Sequence, residues 1–218
     1  MKITWHGQSC FKITSQKSKD EKVSIVIDPF SKETGLRVIK SEADILLISH
    51  DHDDHNNIKA ISGNPFLING SGEYEIKEVF VEGIDAFHDN VQGKERGKVT
   101  IYTIETEDIK ICHLSDLGQA ELTPEQIEAI GEIDILLIPI GGTYTISAKE
   151  AVKIMSQIEP KLTIPMHYAL PKLKYKLDKL EEFLNVLGIK NIQPEAILSV
   201  KKKDISEEEA KVVVLSAK

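Results

Sequence analysis

Three histidines and three aspartates fill six consecutive positions, His50-Asp51-His52-Asp53-Asp54-His55, directly behind the run Ala43-Asp44-Ile45-Leu46-Leu47-Ile48-Ser49. The apolar run reads as a buried strand. The polar cluster therefore starts where a strand leaves the core, which is where α/β folds place chemistry. So many imidazoles and carboxylates side by side are costly to fold unless positive charge sits among them. His50 and His52 are two apart, and an extended backbone points both to one side. Asp54 and His55 lie past the bend and can turn toward a second position, so one segment can serve two neighbouring metal sites. The alternative is a solvated loop rich in His and Asp by chance. Imidazole is the commonest metal ligand, which weighs against that alternative.

The 218 residues suffice for one large domain, and a 41% hydrophobic share supports a proper core. Net charge is −8, and Arg37 and Arg96 are the only arginines. That argues against a dedicated nucleic-acid protein, which would show a basic stripe, so a nucleic-acid partner is not the expectation. A small-molecule substrate, phosphorylated or not, fits the composition. Met1 to His6 runs straight into a strand pattern with no secretory signal, and no apolar stretch is long enough for a membrane span. Cys10 and Cys112 read as buried free thiols, and the expected location is the cytoplasm. A homo-oligomer is compatible with all of this.

Short strands dominate the first half, near residues 2–5, 9–14, 23–28, 44–49, 65–69, 78–86, 98–105 and 109–114. Helices come late. Thr123-Pro124-Glu125 opens one that Gly131 closes, and the capping box Ser147-Ala148-Lys149-Glu150 opens a second that runs to about Glu159. Leu173, Leu177, Leu180, Leu184 and Leu187 recur at three and four residue steps, which predicts a third helix over 172–187 ending at Gly188. Apolar strands are expected at 134–139 and 162–166, and a last one at 211–215. Lys201-Lys202-Lys203-Asp204 reads as a solvated turn. There are no repeats or low-complexity linkers, so residues 1–218 are expected to form one domain.

Two metals need more ligands than the hexapeptide holds. His88 follows the strand Val79 to Ile84, Asp116 follows Ile109 to His113, and His167 follows Leu162 to Met166. Each alone reads as readily as a satisfied polar residue. Their shared place after apolar strands lets them converge on one rim.

The series His50-x-His52-x-Asp54-His55, His88, Asp116 and Pro165-Met166-His167-Tyr168 resembles the metallo-β-lactamase superfamily. More closely, it resembles the branch of stand-alone metal-dependent hydrolases that includes ascorbate-6-phosphate lactonase and its relatives. Trp5 to Phe11, Ile27-Asp28-Pro29-Phe30, Gly72 to Ile76, His113 to Gly118 and Gly141 to Ile146 extend the likeness over nearly the whole chain. The resemblance implies an α/β fold, a four-layer αββα sandwich with two sheets face to face and metals at one open edge. It implies a first metal on His50, His52 and His88, a second on Asp54, His55 and His167, and Asp116 between them. Imidazoles with hard carboxylates suit two divalent ions, zinc first, with manganese, iron or nickel as alternatives. Asp28 is expected to hold a ligand imidazole from behind, with a strand-end turn as its alternative. His113 is expected behind the ligands or in the core. Where relatives often carry His, this chain has Gln8 and Gln119, so two imidazoles that could donate a proton or touch substrate are gone.

Two such metals, about 3.5–4 Å apart, share a water and lower its pKa. The expected function is a metal-dependent hydrolase in which the resulting hydroxide cleaves a small ester, lactone or phosphodiester, with Asp54 orienting the nucleophile. Arg96 could clamp a phosphate or carboxylate, or serve a structural ion pair, and Tyr144 could line the pocket or pack within its loop. The rivals are a non-catalytic metal-binding scaffold, a nuclease, and an oxygen-reducing di-iron protein. The last usually carries Glu where this chain has His52 and works with a flavin domain.

Overall fold

The computed structural model describes residues 1–16, 21–206 and 209–218. Among these described residues, thirteen strands form two sheets. They are β1 (Lys2–Gly7), β2 (Cys10–Gln16), β3 (Lys22–Ile27), β4 (Ser41–Leu47), β5 (Ile61–Ile68), β6 (Gly72–Ile76) and β7 (Val79–Phe87). Then come β8 (Lys98–Thr106), β9 (Ile109–His113), β10 (Ile135–Pro139), β11 (Leu162–Met166), β12 (Leu198–Ser199) and β13 (Lys211–Val212). The first sheet runs β12-β1-β2-β3-β4-β5 and the second β13-β11-β10-β9-β8-β7-β6. The helices are α1 (Pro124–Ile130), α2 (Ala148–Ile158) and α3 (Leu180–Val186).

Side-chain alternation explains the face-to-face packing. Ile3, Trp5, Phe11, Ile13, Ile25, Ile27, Ile45 and Leu47 of the first sheet share one buried cluster with Val81, Val99, Ile101 and Ile111 of the second. β10 and β11 are buried at every position, as parallel strands covered on both faces must be. α1 links β9 to its parallel neighbour β10, and α2 links β10 to β11. Ala151, Ile154 and Ile158 of α2 press into the same cluster. The opposite side of the first sheet carries a smaller cluster, Cys10, Val26, Leu46 and Ile48 beneath Phe30 and Ile39. The two-sheet α/β sandwich expected from the resemblance is thus present, and both capping boxes form at Thr123 and Ser147.

Three expectations change. The third helix spans only Leu180–Val186. Its expected first half is a loop, because distant backbone groups claim its N–H groups. Lys174 donates to the Thr34 carbonyl at 2.9 Å, Asp178 to the Gly141 carbonyl at 2.9 Å, and Lys172 sits at φ 71°. The last strand stops at Val212. Lys202 is not merely solvated: its ammonium reaches both Asp134 carboxylate oxygens at 2.8 Å. Among the described residues, no helix is long and apolar enough to cross a membrane.

Candidate metal centre

The site lies where several strands end. Gln8 and Ser9 follow β1, Asp28 follows β3, Ser49 and His50 come shortly after β4, His88 follows β7, Ser115 and Asp116 come after β9, and His167 follows β11. Gln8, Asp28, Ser115 and His167 all adopt positive φ, from 46° to 52°. Each such non-glycine residue costs roughly 1 kcal/mol, and residues of this kind gather at functional sites. The hexapeptide turns as its spacing requires. The His52 carbonyl accepts from the His55 and Asn56 amides at 2.9 and 3.0 Å, which separates His50 and His52 from Asp54 and His55. Ser49 ties the segment to the second sheet by accepting from the Thr100 amide at 2.9 Å.

All seven candidate ligands come together, in two sets. The ligand atoms of His50, His52 and His88 lie within 4.8 Å of one another, and so do those of Asp54, His55, Asp116 and His167. Asp116 stands between the sets. Its Oδ2 is 3.1 Å from His167 Nε2, 3.2 Å from His55 Nε2 and 3.8 Å from His88 Nε2, while Oδ1 accepts from the Ser9 hydroxyl at 2.8 Å.

The chemistry of this donor set calls for a cation. Burial alone would raise the Asp116 carboxyl, yet the His167 and His55 imidazoles hold it well below the usual carboxylate range. Burial disfavours a charged His55, but Asp116, Asp54 and Asp28 overcome it and raise that imidazole well above its ordinary value. Burial first, then His55, pushes His50 far down, so its ring is neutral. Burial also lowers His88, against the pull of Asp116. His50 Nε2 is buried with no hydrogen-bond partner. A buried, neutral, unpartnered imidazole nitrogen beside carboxylates is the form that binds a metal ion.

Asp28 sets the orientation of two of these rings. Its Oδ2 lies 3.0 Å from His55 Nδ1 and accepts from the Ser49 hydroxyl at 2.7 Å, and Oδ1 accepts from the Ser49 amide at 2.8 Å. With its proton given to Asp28, the Ser49 oxygen accepts from His50 Nδ1 at 2.9 Å and from Ser115 Oγ at 2.6 Å. Nδ1 of both rings is thereby occupied and Nε2 faces the centre. Ser49 was invisible to sequence reasoning. The only clue was its place directly before the first histidine.

His113 belongs to neither set. Its Nε2 donates to the Ser9 carbonyl at 2.9 Å and its Nδ1 accepts from the Ser115 amide at 3.2 Å, so both nitrogens serve backbone. Gln8 is fully buried in the site: its amide nitrogen donates to Asp54 Oδ2 at 3.2 Å and lies 3.2 Å from His167 Nε2. The sequence marked this position as a lost imidazole, but the amide that replaces it grips two candidate ligands. Gln119 is different. Its Oε1 accepts from the Phe87 amide at 3.1 Å and its Nε2 donates to the Glu121 carbonyl at 2.9 Å, bracing the strand end before His88. Close approach also demands Gly118 and Gly141: a Cβ there would meet the His88 carbonyl carbon at 2.3 Å and the His167 carbonyl oxygen at 2.2 Å.

The centre opens into a cavity of about 550 Å³ lined by His52, Asp54, Arg96, Tyr144 and Tyr175 among others. The Arg96 guanidinium lies over the Tyr144 ring, 5.7 Å from its centroid, and Tyr144 meets Tyr175 edge to face at 6.2 Å. Tyr175 escaped sequence reasoning because it lay in the expected helix.

The profile of the beta-lactamase superfamily domain matches residues 2–167, a span that ends on the last candidate ligand. A UPF0173 protein of Pyrococcus abyssi is 34% identical over 191 residues, covering 77% of this chain and 83% of its own length. A UPF0173 metal-dependent hydrolase of Thermoplasma volcanium is 31% identical with the same coverage, 77% and 83%. Among solved structures, a candidate zinc-dependent hydrolase of the metallo-β-lactamase superfamily from Thermotoga maritima is 37% identical. It superposes with a TM-score of 0.79 over 98% of this chain and 97% of that one.

Proposed function

The chain belongs to the metallo-β-lactamase superfamily, and on that premise we propose that it is a hydrolase with a dinuclear metal centre that cleaves a small ester, lactone or phosphodiester. The observation that carries this reading is the position of Asp116, whose Oδ2 lies within 3.8 Å of imidazole nitrogens from both ligand sets. His50, His52 and His88 would hold one divalent ion and Asp54, His55 and His167 the other, with Asp116 between the two sets. Zinc is the first candidate, with manganese, iron or nickel as alternatives for the same donors. When bound, such a pair supplies Lewis acidity and a water made acidic near neutral pH.

The chain's own residues do the rest. Asp28 and Ser49 keep the ligand rings in the tautomer that leaves Nε2 free. Ser9 holds one Asp116 oxygen so that the other faces the imidazoles. Asp54, gripped by Gln8, lines the cavity and is placed to orient an attacking water and take its proton. Buried free Cys10 and Cys112 support a reducing cytoplasm, and the −8 net charge supports a small-molecule substrate over nucleic acid. Phe66, Leu67 and Phe80 are large apolar side chains left exposed, which supports a homo-oligomer.

The test is turnover on panels of lactones, esters and phosphodiesters by protein reloaded with zinc or manganese. Chelator-sensitive hydrolysis that Asp116→Ala abolishes is expected. Protein that carries two metal equivalents and turns over none of the panel would instead support the scaffold reading.

A further inference from the structure

From the loop that follows His88, we infer that the cavity is an oxyanion-selective substrate site, with Arg96 binding a phosphate or carboxylate group set apart from the bond that is cleaved. This rests on the hydrolase reading above for what happens to the rest of the substrate.

The loop is built to present one side chain. Asp89, buried, accepts four backbone amides. Oδ1 takes Val91 at 2.9 Å and Gly93 at 2.8 Å, and Oδ2 takes Glu95 at 3.0 Å and Arg96 at 2.8 Å. A single carboxylate thus folds residues 89–96 around itself, one residue after a candidate ligand. The His88 amide closes the same loop by donating to the Gly97 carbonyl at 3.0 Å. Asp89 spends its acceptors on backbone, so it leaves the Arg96 guanidinium free. Among the described residues that guanidinium has no carboxylate partner, and it rests on the Tyr144 ring.

Its freedom is notable because acid surrounds it. Arg96 is the only Arg or Lys side chain among the described residues lining a cavity that also contains Asp51, Asp53, Asp54 and Asp116. An arginine meant only to neutralise those aspartates would pair with one. The cation–π contact with Tyr144, itself in edge contact with Tyr175, steadies the guanidinium and consumes none of its N–H donors, which leaves them to a ligand. A planar fork of N–H donors matches phosphate or carboxylate oxygens bidentately and gains nothing comparable from a hydroxyl. The chain has only two arginines, and one stands at this cavity. The substrate class that follows is a small molecule with a fixed oxyanion at one end and the hydrolysable bond at the other.

The experiment is calorimetric titration of zinc-loaded protein with three non-hydrolysed probes of similar size: glycerol 3-phosphate, lactate and glycerol. Wild type, Arg96→Gln and Arg96→Lys are compared at equal metal content. Side-chain changes leave intact the hydrogen bond that the Arg96 backbone amide donates to Asp89, so the loop is kept. At least one anionic probe is expected to bind the wild type and to lose about tenfold or more in affinity with Arg96→Gln, with part recovered by Arg96→Lys and glycerol unaffected. The probe that shows this loss identifies phosphate or carboxylate as the group. Equal anion affinity in wild type and Arg96→Gln, or no anion binding by wild type, overturns the inference. Arg96-dependent binding in a protein that hydrolyses nothing would sink the hydrolase reading and leave the anion site standing.

Discussion

Asp28 and His55 are 27 residues apart in sequence, and their side chains meet at 3.0 Å, carboxylate Oδ2 to imidazole Nδ1, both fully buried. That contact decides which nitrogen His55 offers to the centre. The same carboxylate reaches His50 through Ser49. Removing it frees two rings at once. Asp28→Ala is therefore expected to weaken metal affinity by about 10–100-fold, the usual cost of losing an outer hydrogen-bond partner of a ligand. Competition with a fluorescent chelator measures it, and unchanged affinity would mean that Asp28 is only a turn residue.

Gln8 gives a more selective prediction. Its amide touches Asp54 and His167 and neither His52 nor His88. A buried hydrogen bond to a charged group is worth about 1.5–3 kcal/mol. Gln8→Ala should weaken one of two bound ions by roughly tenfold or more and leave the other almost untouched. Stepwise metal titration reads this as a widened gap between the two affinities. A uniform loss in both steps would place Gln8 in the general packing of the site.

A pH dependence follows from His6, which is outside both ligand sets. Burial first, then the charges of Lys218, Lys12 and Arg37, push its imidazole down to about 4. An unfolded histidine titrates near 6.5. The unfolded chain therefore binds the proton more readily between these values, and stability is lost as pH falls from about 6.5 toward 4. Discounted for partial exposure, the loss is of order 2 kcal/mol. Urea denaturation of chelated protein at pH 7 and pH 5 should show a smaller drop for His6→Gln than for wild type. Equal drops would mean that His6 titrates normally.

The strands and candidate ligands were legible because both signals are local. Ile45-Leu46-Leu47 and Ile135-Leu136-Leu137 are apolar enough to declare buried strands, and a ligand after such a run can only emerge at the sheet edge. The stripe from Leu173 to Leu187 misled for the opposite reason. Helical spacing is local, but residues 169–178 form backbone bonds to Thr34 and Gly141, which no local pattern records. That misreading hid Tyr175, which faces the cavity only because its segment is a loop. The supports of the site were equally illegible. Ser9 and Ser49 are ordinary polar residues in sequence, and their roles arise from contacts spanning 107 and 21 positions; Gln8 was marked only as a missing imidazole, and its grip on His167 spans 159 positions.

The central claim is that Asp116 joins two ligand sets into one dinuclear centre, and metal content per chain tests it most directly. Elemental analysis of protein stripped, reloaded with zinc and freed of excess should give two equivalents in wild type, and about one in His167→Ala, which loses a ligand from a single set. Wild-type protein that retains one equivalent at most would contradict the account.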